Sequence, residues 1–313
     1  MISLPYEKPR PLAAPVTTAL TCWLLPVAPL LAVASAARAQ DVEPRAFSNA
    51  PVGVNFLVGG YAFTRGSLSF DPAVPVTNAR LTTSNAILGY ARVFDLWGKS
   101  AKFDVSAPYT WLSGTAEFRG QPVERTVNGL GDARFRVSVN WYGAPALALP
   151  EYKEYKQDLI IGTSFAVTAP VGQYDSSKVV NLGTNRWTFT PELGLSKALD
   201  PLTLELAAGP TFYTDNTNFY GGHTRSQDLI FLVQGHAIYS FGSGIWGSLD
   251  ATYLTGGRTS VDGEPDHDLQ RNWRVGATLA FPLSVRYSIK LYGLQEPAPR
   301  MVAVDLDVTH VTG

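Results

Sequence analysis

From Val52 to Thr309 apolar and polar residues alternate, and the period of two is clearest between Gly131 and Tyr142. Ala133, Phe135, Val137, Val139 and Trp141 fall on one side of an extended backbone. Asp132, Arg134, Arg136, Ser138 and Asn140 fall on the other. Successive side chains of a β-strand point to opposite faces, so this stretch reads as a strand with one apolar and one charged face. Charges packed into a dry core are costly unless paired. A strand with lipid on its apolar side and water on its polar side avoids that cost.

The pattern recurs in about twelve segments. The first lies near Val52–Phe63, with Val52, Val54, Phe56 and Val58 as its apolar row. In the second, Asn85–Asp95, Ile87 and Val93 oppose Tyr90 and Arg92; in the third, Phe103, Val105, Tyr109 and Trp111 oppose Lys102, Asp104, Ser106 and Thr110. After the strand at 131–142, further strands are expected near 158–169, 186–196, 202–213, 228–241, 245–253, 272–281 and 285–291. A last segment, Met301–Thr309, sets Val302, Val304, Leu306 and Val308 against Asp305 and Asp307.

Long polar loops, such as Gly114–Gly129, follow the odd-numbered strands, and short turns such as Trp97-Gly98 and Gly242-Ser243-Gly244 follow most even ones. Gly143–Gln157 is the exception. Outer-membrane barrels join their strands by short periplasmic turns and longer external loops, on opposite rims. The expected fold is therefore all-β: a closed antiparallel up-and-down transmembrane β-barrel of about 12 strands, with both ends in the periplasm. A soluble β-sandwich has similarly spaced turns. It differs in burying Phe135, Val137 and Val139 between two sheets.

Residues 1–39 read as a secretory signal peptide, with Lys8 and Arg10 ahead of an apolar run, Leu20–Ala34, and Ala37-Arg38-Ala39 as the cleavage site. The barrel is then assigned to 40–313, with Gln40–Pro51 as a short periplasmic lead-in. The single cysteine, Cys22, falls in the leader. No second apolar run approaches the roughly 20 residues that a spanning helix needs.

Composition agrees with this. Mean hydropathy is only +0.01 although 45% of residues are hydrophobic, as expected when apolar positions are diluted by alternation. Aromatic residues make up 12% of the chain, which suits aromatic girdles at the two membrane interfaces. With a net charge of −1 the chain has no basic excess to suggest nucleic acid.

Several short motifs fall in a characteristic order. They are Gly131-Asp132, Trp141-Tyr142-Gly143, Pro170-Val-Gly-Gln-Tyr-Asp175, Asn181-Leu-Gly-Thr-Asn-Arg-Trp187 and Pro191-Glu-Leu-Gly194. Asp215-Asn216, Gly256-Gly257, Asp262-Gly263, Asn272-x-Arg274-x-Gly276 and Ser288-Ile-Lys-Leu-Tyr-Gly293 follow. In this order the chain resembles the outer-membrane proteins associated with the meta-pathway of phenol degradation. The resemblance implies an outer-membrane channel of a Gram-negative bacterium, linked to aromatic catabolism, whose partners are membrane lipid, the barrel-assembly machinery and a small solute. After Gly293 the likeness ends, and 294–313 is atypical: it lacks the closing aromatic residue that such barrels usually carry.

The candidate pore-lining residues are Arg134, Arg136, Arg186, Glu192, Glu205, His236, Asp250, Arg274 and Lys290, all on the face opposite the apolar rows. Two uses are open for the charges: interstrand ion-pair ladders that stiffen the wall, or a transverse field that orients solutes. The leading expectation is passive uptake of small, aromatic or hydrophobic solutes, with no catalytic residue, cofactor or metal. His236 is also the candidate base for a second reading, an outer-membrane lipid hydrolase. A structural or adhesive barrel is the third. Asp262, Glu264, Asp266 and Asp268 form an acidic loop cluster, read as solvated, with weak calcium binding as the alternative.

Overall fold

The computed structural model describes residues 43–67, 76–118, 121–295 and 300–311. The expected signal peptide lies outside the described residues.

Twelve long strands follow in order: β1 (Val54–Ser67), β2 (Val76–Leu96), β3 (Lys99–Phe118), β4 (Ala133–Tyr142), β5 (Leu159–Ala169) and β6 (Thr188–Leu199). They continue as β7 (Leu202–Tyr213), β8 (Ile230–Gly242), β9 (Ile245–Gly256), β10 (Gln270–Pro282), β11 (Tyr287–Gln295) and β12 (Arg300–Val311). Each is antiparallel to the strand before it and the strand after it. The ladder between β1 and β12, from Val54↔Val311 to Arg65↔Arg300, completes the ring. The shortest strand has 9 residues, enough for a tilted strand to cross a bilayer, which takes about 9–11. No helix among the described residues is long and apolar enough to cross a membrane.

The two faces of the sheet differ as the alternation predicts. Phe135 and Val137 on β4 are 40% and 42% exposed on the outside, in a belt with Leu193, Leu206, Phe231, Leu249, Val275 and Leu279. Turned inward and buried are Thr110, Ser138, Asn140, Ser164, Thr190, Glu192, Glu205, Gln234, His236, Ser248 and Thr278. Aromatic residues meet in pairs, among them Tyr109 with Trp111 and Tyr253 with Trp273. Among the described residues no second sheet covers the Phe135–Val137 row, which is the opposite of what a sandwich requires.

The structure departs from the sequence reading in three places. In β1 both rows are largely apolar, and the ladder to β2, with Leu57 opposite Tyr90 and Tyr61 opposite Ala86, settles which faces out. Leu57, Tyr61 and Phe63 are exposed outside, whereas Val54 is buried inside. The expected apolar row of Val52, Val54, Phe56 and Val58 is therefore the inner one. Arg92, outward on β2, sits near the short turn, where a long cationic side chain can reach the interface. Second, Gly114–Gly129 is not a loop: β3 runs on to Phe118, and Gln121–Leu130 pairs back along it as a projecting hairpin. Third, the loops after β7 and β9 combine their segments Asn216–Phe219, His223–Gln227, Thr259–Val261 and Glu264–Pro265 into a small four-stranded sheet. The last expected strand, in the atypical C-terminal stretch, is present as β12 and pairs on both sides.

Turn chemistry explains the tight rim. Leu96 pairs with Lys99, leaving Trp97 and Gly98 as a two-residue loop, and both have positive φ (54° and 75°). That is the primed turn whose twist matches that of the flanking strands. Gly143–Gln157, the long connection on this rim, holds one helical turn, α1 (Leu149–Tyr152).

The outward rows set the expected response to charge. Val137→Arg, mid-strand on the outer face, should destabilise the folded barrel in lipid by about 2–4 kcal/mol. Ser106→Arg, on the inner face, should cost far less. Denaturant titrations of both variants in liposomes check this, and equal losses would contradict the assignment of faces.

Candidate functional site

The interior of the ring is occupied at the short-turn rim by residues 43–53, which belong to no strand but are fixed to many. Phe47, 2% exposed, lies against the inner wall where three small residues meet side by side across β5, β6 and β7. Gly162 pairs with Gly194, and Gly194 with Ala207. A Cβ built on Gly194 would come within 2.1 Å of the Phe47 ring, and one on Gly162 within 2.9 Å. The wall has given up its side chains where the ring lies.

The neighbouring residues of this segment are held by polar contacts. The Arg45 backbone N–H donates to Glu205 Oε2 at 2.7 Å, and the Ser48 hydroxyl lies 3.4 Å from Oε1. The Arg45 guanidinium donates to Ser240 Oγ at 3.1 Å and stacks over the Trp246 ring. Glu43 accepts from Lys290 Nζ at 2.6 Å. Further along, the Asn49 side chain donates to the Pro145 carbonyl, Tyr152 to the Asn49 carbonyl, and Val52 N–H to the Leu147 carbonyl. The long connection carrying α1 is thus tied to the segment inside the ring.

The Glu43 side chain is 61% exposed. Lys290 beside it, by charge and by hydrogen bond, holds its carboxyl at about 2, below the ordinary 4.5. Burial among wall atoms opposes this, and Arg136 and Lys102 add to it from β4 and β3.

The nine candidate residues all lie on the inner side, and most of their partners are other inner residues. Arg136 pairs with Asp104 on the adjacent strand at 3.0 Å. Arg134 and Arg136 both lie within electrostatic reach of Glu192, which accepts from Ser164 Oγ at 2.8 Å. Glu205 takes the segment just described and Ser196 Oγ at 2.8 Å. Lys290 takes Glu43; Arg274 is half-buried on β10, opposite Thr252. His236 sits in register between Glu205 and Asp250, its Nδ1 2.8 Å from Asp250 Oδ1. The Ser248 and Thr278 hydroxyls donate to that same Asp250 carboxylate. Among the described residues no serine is hydrogen-bonded to His236.

Arg186 lies at the opposite rim, with its guanidinium over the Tyr213 ring and bonded to Gln227. There the loop after β5 folds back on Asp132: Oδ1 accepts from Gly172 N–H at 2.9 Å and Oδ2 from the N–H and hydroxyl of Thr184. Asn185 donates to Asn216, and Gln227 to the Gly257 carbonyl. In the acidic loop cluster Asp266 and Asp268 both accept from the Thr259 hydroxyl. Asp262 faces His223 at 2.6 Å. Among the described residues no group of three or more His, Cys, Asp or Glu side chains is placed to hold a metal.

A closed twelve-stranded ring with an apolar exterior, a polar interior and an inserted N-terminal segment has the fold of outer-membrane channels. Residues 69–300 match the family described as "Putative MetA-pathway of phenol degradation", and the chain belongs to that family. It is similar to the COG4313 outer membrane channel from Pseudomonas putida F1, with a TM-score of 0.70 and 18% identity over 86% of this chain and 100% of that one. The transport unit of the autotransporter AIDA-I from Escherichia coli has a TM-score of 0.51 at 8% identity, over 88% of this chain and 94% of that one. No curated protein matches the sequence.

Sequence reading missed Glu43, Phe47 and Asp104 as site residues. Asp104 had a signal, a charge on the polar face of its strand; Glu43 and Phe47 had none, because neither lies in a periodic segment.

Two outcomes follow for the inserted segment. Gly194→Val should force Phe47 from its socket with the barrel still folded, seen as faster tryptic cleavage after Arg45; an unchanged rate would contradict the packing. Because the Glu43 carboxyl is depressed, its pairing with Lys290 favours docking above about pH 4.5 and is lost as pH falls through about 2. A 13C NMR titration of labelled glutamate checks this, and a midpoint near 4.5 would contradict it.

Proposed function

We propose that the protein is a non-enzymatic outer-membrane channel through which small solutes pass down their gradient. The observation that carries this reading is the two-faced closed ring, apolar outside and lined inside by charged and hydroxyl side chains. A twelve-stranded barrel is narrower than the 16–18-stranded porins that leave a wide aqueous channel, so the solutes are small or slender. The nine inner residues then line the path, with Arg136–Asp104 stiffening the wall between β3 and β4. Arg134, Lys102 and Lys290 give the interior a cationic side.

The membership of the phenol-degradation family and the likeness to a channel support the same reading, and aromatic compounds are the solute class it suggests. Residues 1–39 are proposed as the signal peptide that sends the chain to the outer membrane, where lipid and the assembly machinery are its partners. The lipid-hydrolase alternative gains nothing from the geometry: His236 faces Asp250, and the nearby Ser248 hydroxyl donates to the carboxylate rather than standing at the imidazole.

In planar bilayers the purified protein should show discrete conductance steps, and removal of residues 43–50 should raise the unit conductance severalfold. Absence of conductance from both forms, with the barrel folded, would refute the channel reading.

A further inference from the structure

We propose that the basic cluster around Glu43 is a binding site for the carboxylate of a permeating organic anion, and that Glu43 occupies this site as a resident stand-in. The inference rests on the channel reading and names the solute chemistry that its interior selects.

The ion pair has an unusual ownership. Its cation, Lys290, is part of the wall and only 12% exposed; its anion belongs to a segment outside the sheet. The contact is a charge-assisted hydrogen bond of 2.6 Å, the form in which a carboxylate is held most strongly. Lys102 on β3 and Arg136 on β4 act on the same carboxylate from across the interior, with β12, β1 and β2 between them and Lys290. Arg134, on the same face of β4 as Arg136, also interacts with Glu43. Wall carboxylates are present too: Asp104 is bonded to Arg136, Glu192 to Ser164, and Asp305 lies opposite Lys290 in the ladder. Glu43 is the acid among these that the wall does not own.

A carboxylate that enters from outside meets the same donors once Glu43 is displaced. An uncharged solute of the same shape does not, because it cannot replace the charge-assisted bond that the Lys290 ammonium makes to Glu43. The chemical class is therefore a small monocarboxylate, bound through its carboxylate at Lys290.

The test uses 4-fluorobenzoate as the probe, followed by 19F NMR with the full chain in detergent, and 4-fluorobenzamide as the uncharged control. Glu43→Gln keeps the shape of the segment and removes the competing charge; it should tighten benzoate binding at least tenfold. Lys290→Gln, added to Glu43→Gln, should abolish it, and the benzamide should bind neither protein. Equal benzoate affinity in the native chain and Glu43→Gln, or equal binding of the amide, would overturn the site. Glu43 lies outside the wall, so its variant decides the matter even where the Lys290 variant fails to fold. Conductance of the same preparations separates the two claims: binding without conductance refutes the channel, and conductance without binding refutes the carboxylate site.

Discussion

A backbone that crosses lipid finds no water for its N–H and C=O groups, and a sheet can satisfy them only by closing on itself. That requirement organises the rest of this molecule. It explains why Arg300–Val311, a stretch unlike the rest, still pairs with both β11 and β1. Closure also leaves an inside and an outside with different solvents, and each side chain is sorted by parity alone. Lipid-facing rows then carry residues such as Phe135, Val137 and Leu249, while mid-strand charges such as Arg136, Glu192 and Glu205 are driven inward. Once inside, charges are expensive unless matched, and the wall matches them with near neighbours, as in Arg136 with Asp104.

The interior is finished differently at its two ends. At the short-turn rim a segment from the N-terminal side is laid into the ring, and the wall accommodates it by omission, with Gly162, Gly194 and Ala207 making a floor for Phe47. At the other rim the finishing is done by loops. Asp132 collects Gly172 and Thr184, and Asn216 and Gln227 tie the next loops to them. Asp132, Gly172, Thr184 and Asn216 fall in the short motifs noted along the sequence. They act as loop anchors, each depending on partners far along the chain.

Much of the barrel was legible because its signal is local. Strand positions, the outward rows of β3 to β11 and the tight turn at Trp97-Gly98 each follow from a few consecutive residues. What escaped depends on which residues meet across strands. In β1 both rows are apolar, so parity could not be assigned before the ladder with β2 was known. The hairpin at Gly114–Gly129 was taken for a loop because polar strands beyond the membrane edge lack an apolar face. Phe47 reads as an isolated aromatic in a lead-in, and its socket exists only when three glycine and alanine positions from separate strands come into register. The inner ion pairs depend on the same thing: only adjacency across strands gives Asp104 to Arg136 and the lead-in to Lys290.

The sorting of side chains by parity is the central claim, and site-by-site labelling in the outer membrane tests it most directly. Single cysteines placed in turn from Ala133 to Tyr142, with Cys22 replaced by Ser, would be challenged with a charged thiol reagent and with a lipid-soluble one. The account predicts that positions 134 and 136 react with the charged reagent and 135 and 137 only with the lipid-soluble one. Equal reaction of Phe135→Cys and Arg136→Cys with the charged reagent would contradict it.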